Sequence, residues 1–365
     1  MKELLFISNG HGEDIIATAI IKELLLLDNN LKIKGLSLVG KGSSYLENNI
    51  SLISNGQDLP SGGFVMTSKD LLKDIKAGLL QLTFSQLKAL FKNRGKSKAI
   101  IAVGDTYPLL LSAVFSKGKK FFISTAKSSY VGAHNKLELF IMKRFVTKTF
   151  TRDLLTKDYL QNQSIESECY GNVMMDTISF HNENFQLEKE DITIGILPGS
   201  RQESYENLKL IANIIKEIQR KKLKEKVVFL IAISKSLDID RVKIILEKYP
   251  NIIISEKFGD IIKNSQVILG LAGTANEQAI GLGKPVVAFP ALGPQTSHYR
   301  FRLQKRLLGN SIELLDEYNP QKIANTLLAL IVDKHKQKKV QQIGKERMGP
   351  PGAASKIAKD ILNYI

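Results

Sequence analysis

The sequence has little of what would mark a secreted, metal-bound or membrane-spanning protein. It holds one cysteine, Cys169, in 365 residues. That excludes an intramolecular disulfide framework and fits a reducing compartment. The five histidines, at 11, 134, 181, 298 and 335, are scattered without ligand spacing, so no metal site is expected. Tryptophan is absent, and no apolar run approaches the roughly 18 residues of a membrane-spanning helix. The apolar part of the N-terminus, Leu4-Leu5-Phe6-Ile7, is too short for a signal peptide and reads as a first strand. No DNA- or RNA-binding signature occurs, so nucleic acid is not an expected partner.

What is present is a globular composition, 43% hydrophobic and 24% charged, in a chain long enough for two domains. The net charge of +16 points to an anionic partner, either a membrane surface or a phosphorylated substrate. A Lys-, Ile- and Asn-rich background composition is the alternative reading.

Strand-like and helix-like stretches alternate along the chain. Apolar runs at 4–8, 33–39, 98–103, 121–124, 146–150 and 168–170 read as strands, with helical patterns between them. The polar stretch Glu183 to Asp191 reads as a linker. Further strands follow at 192–197, 227–233, 252–255, 267–271 and 285–289. This alternation predicts an α/β protein with two doubly wound parallel sheets facing each other. Such sheets bind ligands at the C-terminal ends of their strands. The expected domains are 1–182 and 188–350, with 351–365 a terminal helix packing back on the first.

Two corners in the second half carry the clearest chemistry. Leu197-Pro198-Gly199-Ser200-Arg201-Gln202-Glu203 lies between a strand and a helix whose apolar face is Leu208, Ile211, Ala212, Ile215 and Ile218. A strand, a glycine turn and a helix N-terminus present backbone N–H groups to an anion, and Arg201 adds a guanidinium. The second corner is Gly270-Leu271-Ala272-Gly273-Thr274-Ala275-Asn276-Glu277-Gln278. Its small residues let a phosphate approach the backbone, and Thr274 is placed to cap the helix or bond the ligand. Two ordinary capped βα turns are the plainer reading.

Together with Gly283-Lys284-Pro285-Val286-Val287, these motifs resemble the lipid-A-disaccharide synthases and their related branch. The resemblance implies the GT-B glycosyltransferase fold, two Rossmann-like domains with the nucleotide sugar held mainly by the C-terminal one. It covers roughly residues 1 to 290 in order. Ser8-Asn9-Gly10-His11-Gly12-Glu13-Asp14, Val103-Gly104-Asp105 and the stretch Tyr170 to Asp176, which includes Asn172, stand where the family has its first loop, an aspartate after a central strand, and a glycine-containing stretch. An ungapped match puts Gln278 at the family's ribose-binding glutamate, with Glu277 one position before.

The implied reaction is inverting, metal-independent sugar transfer from a UDP-sugar to a lipid-linked acceptor, without a cofactor. Expected substrate contacts are Gly10, Gly12, Glu13, Asn172, Gly199, Ser200, Arg201, Glu203, Gly273, Thr274, Ala275, Glu277 and Gln278. Asp105 and His11 compete for general base. Asp105 could instead cap the following helix, and His11 could be a loop residue without a role. Asp238-Ile239-Asp240 has the form of a metal-binding D-x-D but precedes a helix, which predicts capping. The segment 68–98 sets Lys69, Lys73, Lys76, Lys88, Lys92, Arg94, Lys96 and Lys98, against Asp70 and Asp74, among Leu71, Leu72, Ile75, Leu79, Leu80, Leu82, Phe84, Leu87, Leu90 and Phe91. Such a segment suits docking on anionic lipid or an ordinary solvated helix. Arg300, Arg302, Lys305 and Arg306 add a second basic patch. The expected location is cytoplasmic, peripheral on the inner face of a membrane. A GT-B-fold nucleotide-sugar epimerase and a non-catalytic binding protein remain as alternatives.

Overall fold

The structure, a computed structural model, describes residues 2–60, 68–115 and 117–365. The side chains of Lys69, Asp70 and Leu71 in the basic segment lie outside the described residues. The strands are β1 (Glu3–Ser8), β2 (Lys32–Ser37), β3 (Ser51–Leu52), β4 (Ala99–Gly104), β5 (Lys119–Ser124), β6 (Lys148–Thr151), β7 (Ser167–Glu168), β8 (Ile192–Leu197), β9 (Val227–Ala232), β10 (Ile252–Ser255), β11 (Val267–Gly270), β12 (Val286–Ala288) and β13 (Ile312–Leu314). The helices are α1 (His11–Leu27), α2 (Ser43–Glu47), α3 (Ser68–Lys76), α4 (Leu79–Asn93), α5 (Thr106–Phe115), α6 (Lys136–Phe145), α7 (Leu154–Asn162), α8 (Ser204–Gln219), α9 (Ile239–Leu246), α10 (Phe258–Asn264), α11 (Thr274–Gly281), α12 (His298–Leu308), α13 (Pro320–Val332), α14 (Lys334–Met348) and α15 (Ala353–Tyr364).

The chain forms two compact units. One holds the residues up to Thr177 together with Pro350–Ile365, and the other holds Ile178–Gly349. The first contains a parallel sheet of order β3-β2-β1-β4-β5-β6-β7 and the second one of order β10-β9-β8-β11-β12-β13. Each order starts in the middle, runs to one edge, then returns to fill the other side. The direction reverses between β1 and β4 in the first unit and between β8 and β11 in the second. At such a reversal the loops leave in opposite directions and open a crevice outside the strand ends.

Alternating side chains divide the first sheet's faces. Leu4 and Phe6 join a core with Ile16, Ile20 and Leu24 of α1 and Ile357 and Ile361 of α15. Leu5 and Ile7 point the other way, to Leu90 of α4 and Leu111 of α5. Asp360 anchors α15 by accepting from Lys148 Nζ at 2.7 Å and the Tyr170 hydroxyl at 2.9 Å. In the second unit, Leu208, Ile211, Ala212, Ile215 and Ile218 of α8 are all buried, as their spacing predicts.

Three features differ from the sequence reading. Helix α1 begins at His11, within the stretch Ser8 to Asp14 expected as a loop. Gly10 is its extended N-cap, so His11, Gly12, Glu13 and Asp14 form a first helical turn instead of a loop. First-turn N–H groups need no partner in the helix, and acidic residues there suit the dipole. The second is α14, whose polar sequence hides a narrow buried stripe of Val340, Gly344 and Met348. A Cβ on Gly344 would collide with the carbonyl of Ile280, so glycine sets how closely α14 lies on α11. Third, the acidic stretch after Ile178 is pinned at its start. Buried Asp260 accepts the backbone N–H groups of His181, Asn182 and Glu183 at 3.1 to 3.2 Å. Burial works to raise this carboxyl, and the three N–H groups overcome it and hold it below the ordinary range.

Helix α4 has apolar residues on two sides. Leu82, Gln86 and Leu90 are buried, whereas Leu80, Phe84 and Phe91 are 67%, 71% and 66% exposed. Lys88 and Lys92 share that exposed surface.

Candidate functional site

In the second unit the two corners follow β8 and β11, neighbouring strands at the reversal of strand order. The Leu271 N–H donates to the Leu197 carbonyl at 2.8 Å, joining them. Gly199 has φ +104°, and an added Cβ would lie 3.2 Å from the Leu271 carbonyl. Glycine is therefore required there by backbone conformation and by the nearness of the second corner. Ser200 and Arg201 are exposed, and Arg201 makes no ion pair among the described residues. Glu203 is half-buried at the N-cap of α8, with no side-chain cap bond, and its side chain borders Gly293.

The second corner is bare. A Cβ on Gly273 would meet nothing within 4 Å. Gly273 itself is the N-cap of α11 and makes no side-chain cap bond, so Thr274 lies in the first turn and does not cap it. The helix thus presents its N-terminal N–H groups beneath an unobstructed glycine, a geometry that accepts an anion. Ala275 and Glu277 are half-buried, and Gln278 is buried.

Residues that sequence reasoning missed hold this corner in place. Buried Asn276 donates to the Gly270 carbonyl at 3.1 Å and to Gln304 Oε1 at 3.0 Å. Gln304 of α12 donates in turn to the Gly273 carbonyl at 2.9 Å. Asn207 of α8 bonds both the N–H and the carbonyl of Leu292, at 3.1 and 3.2 Å, fixing the loop after β12. A long-range amide pair such as Asn276–Gln304 leaves no local pattern in the sequence.

The first unit repeats the arrangement at its own reversal. Asn9 follows β1, and its amide donates to Asp105 Oδ2 at 3.0 Å after β4. Asp105 Oδ1 accepts the Tyr107 N–H at 2.9 Å, so this carboxylate also caps α5. The cap considered for Asp105 is observed, at a position that also stands at the reversal of strand order. Glu13 is half-buried on the first turn of α1. Burial raises its carboxyl above the ordinary glutamate value against the opposing bond from its own backbone N–H, and the charges of Asp105 and Asp14 add to the rise. Asp14 is buried, and burial raises its carboxyl too. It accepts from Ser8 Oγ at 2.5 Å and Ser37 Oγ at 2.8 Å. Its role is to hold α1 on β1 and β2. His11 and Gly12 are exposed.

A second carboxylate stands beside Asp105 and was not anticipated. Glu138 of α6 is buried and accepts from Thr106 Oγ1, from Lys127 Nζ at 2.7 Å and from the Asn135 N–H at 2.9 Å. His134 Nδ1 is 3.3 Å away, and His134 Nε2 faces Ser124 Oγ at 3.3 Å. Burial works to raise Glu138, but the bonds from His134, Lys127, Thr106 and Asn135 outweigh it and hold the carboxyl well below its usual range. Asn135 and Glu138 form a capping box, legible as N-x-x-E. The same glutamate ties the start of α5, next to Asp105, to the loop before α6.

Two other expected positions have local tasks. Asn172 is buried and its Oδ1 accepts the Met174 N–H at 3.1 Å, starting a short 3-10 helix. Asp238 caps α9 through the N–H groups of Asp240 and Arg241, as predicted for the D-x-D form.

Comparison with known proteins follows the same lines. CalG4, the calicheamicin glycosyltransferase, superposes with a TM-score of 0.69 at 14% identity, over 100% of this chain and 99% of its own. The UDP-GlcNAc 2-epimerase of Neisseria meningitidis, solved bound to UDP-GlcNAc, gives 0.63 at 18% identity, over 100% of both chains. MurG of Acinetobacter baumannii gives 0.62 at 12%, again over 100% of both. At these identities the likeness is one of fold, the two-unit Rossmann-like GT-B architecture that the motifs imply. A search of curated proteins finds no match. A family model matches residues 159–347. Because that match spans more than half of the sequence, the chain belongs to the family described as protein of unknown function (DUF354).

Proposed function

We propose that this protein is a glycosyltransferase that moves a sugar from a UDP-sugar to a lipid-linked acceptor. The observation that carries the reading is the paired corner of the second unit, where Gly199 and Arg201 follow β8 and bare Gly273 follows the neighbouring strand β11. Main-chain N–H groups of α11 and the Arg201 guanidinium would hold the diphosphate and stabilise it as it leaves. Glu277, the more exposed of the two ribose candidates, is the better placed to meet a hydroxyl. In the reaction the acceptor oxygen attacks the anomeric carbon with inversion. The carbon–oxygen bond to the diphosphate breaks, its electron pair leaves with UDP, and the acceptor proton passes to a general base. Asp105 and His11 are the bases that the sequence nominates.

The likeness to lipid-A-disaccharide synthases rests on the sequence motifs. A lipid acceptor is supported by the exposed face of α4, where Leu80, Phe84 and Phe91 stand with Lys88 and Lys92. Apolar wedges among lysines suit an anionic bilayer surface, and this would keep the protein peripheral on the inner face of a membrane.

Epimerisation of a UDP-sugar is the second reading, favoured by the full-length likeness to an epimerase bound to UDP-GlcNAc. Incubating the protein with a panel of UDP-sugars, with and without an anionic membrane lipid extract, separates the two by mass spectrometry. A new glycolipid that needs the extract supports transfer. A changed UDP-sugar without extract supports epimerisation. No product, and no thermal stabilisation by UDP, would leave a non-catalytic protein.

A further inference from the structure

We infer that Glu13, on the first turn of α1, is the group that takes the acceptor proton, with Asp105 as the fixed charge beside it. The inference rests on the transfer reading above and replaces its two nominated bases. Asp105 is occupied at both oxygens, by the Tyr107 N–H and by the Asn9 amide. Protonating it would weaken the cap of α5 and the bond that joins the two corners. His11 is exposed and makes no hydrogen bond among the described residues, so nothing orients its ring. General base catalysis needs a group held in place.

Glu13 meets that need, because its carboxylate accepts its own backbone N–H in the first turn of α1. It stands between two glycines, Gly10 after β1 and Gly104 at the end of β4. A Cβ on Gly10 would lie 3.5 Å from Glu13 Oε2, and one on Gly104 would lie 3.4 Å from Glu13 Cγ. The carboxyl therefore sits in the crevice between the ends of β1 and β4, where a ligand of a reversed sheet is bound. The charges that face it are Asp105 from the β4–α5 corner and Asp14 from its own helix, with His11 near Asp14. Burial and the two negative neighbours outweigh the bond from its own backbone N–H and favour the protonated form, and a base is most effective when its pKa lies near the working pH. In the step proposed, Glu13 carboxylate accepts the acceptor hydroxyl proton as that oxygen bonds to the anomeric carbon. UDP leaves with the electron pair of the broken bond, and Glu13 then gives its proton to water.

The test uses the full chain with carbon-13-labelled glutamate. The Glu13 carboxyl resonance is identified by its loss in Glu13→Gln. Its titration midpoint should lie above that of ordinary glutamate, and it should fall in Asp105→Asn. An ordinary midpoint, or one unmoved by Asp105→Asn, overturns the inference. Where UDP-GlcNAc and membrane lipid extract yield a glycolipid, Glu13→Gln should lower the rate at least about 100-fold while thermal stabilisation by UDP is unchanged. Full turnover by Glu13→Gln also overturns it. Absence of product in the unmodified protein counts against the transfer reading instead, and the carboxyl titration then still decides the Glu13–Asp105 pair.

Discussion

The side-chain amide of Asn9 donates to Asp105 Oδ2 at 3.0 Å, tying the turn after β1 to the turn after β4. The other carboxylate oxygen caps α5. Structural and chemical demands on Asp105 can therefore be separated by choice of substituent. Asparagine caps a helix about as well as aspartate, whereas alanine costs about 1 kcal/mol. Asp105→Asn should unfold in urea with nearly the midpoint of the unmodified protein, and Asp105→Ala should unfold earlier. Any loss of turnover shared by both variants then reports chemistry and not folding.

Gly199 and Gly273, the glycines of the two corners in the second unit, should respond in opposite ways. Gly273→Val places its Cβ where it meets nothing within 4 Å, so stability should change little, by about 0.5 kcal/mol or less. The same side chain covers the N-terminus of α11, and stabilisation by UDP in a thermal melt should disappear. Gly199→Ala keeps that approach open but forces a Cβ onto a backbone at φ +104°. It should lower stability by about 1–3 kcal/mol.

Arg201 is exposed, so Arg201→Ala should leave the melting temperature without ligand nearly unchanged. A charge-assisted bond to a phosphate contributes about 1.5–3 kcal/mol. Calorimetric titration with UDP should accordingly show a dissociation constant raised by about one to two orders of magnitude. Equal affinity in variant and parent would remove Arg201 from the diphosphate site.

Glu138 sets an acid limit on the first unit. Its carboxyl is held below the ordinary glutamate value in the folded state. The fold therefore gains stability from it above about pH 4.3, and loses that gain as pH falls toward the folded-state value. Glu138→Gln should destabilise the protein by about 3 kcal/mol at pH 7, because Lys127 and His134 lose their partner. It should also flatten the decline in stability on acidification, measured by urea unfolding between pH 3 and pH 7 as about five steps.

Phe84 and Phe91 offer a check on the lipid surface. Both are exposed on α4, so Phe84→Ser with Phe91→Ser should not unfold the protein. Binding to phosphatidylglycerol vesicles in a flotation assay should weaken, and high salt should weaken it further through loss of the lysine contribution.

Eleven of the thirteen strands and the two corner motifs were legible because each is a local signal, whereas β3 and β13 are too short to stand out as apolar runs. The switch-point position of those corners was not, since it depends on which strands become neighbours. Helix α1 was shortened in the sequence reading because Gly10 and Gly12 look like loop residues, although Gly10 is the N-cap and Gly12 lies in the first turn. Helix α14 was missed because one of its three buried positions is a glycine. The bonds that position the sites, Asn9 to Asp105, Thr106 to Glu138 and Asn276 to Gln304, join residues 28 to 96 positions apart. No periodicity records such pairs.

Helix α15 completes the core of the first unit, yet it follows the whole of the second unit in the chain. During synthesis, Ile178–Gly349 is available in one piece before the first unit can close over Leu4, Phe6 and Ile20. The usual order, in which the N-terminal domain matures first, is therefore reversed here. A nascent chain lacking α15 presents an uncovered apolar face, which makes it a natural client for chaperones until the last helix docks.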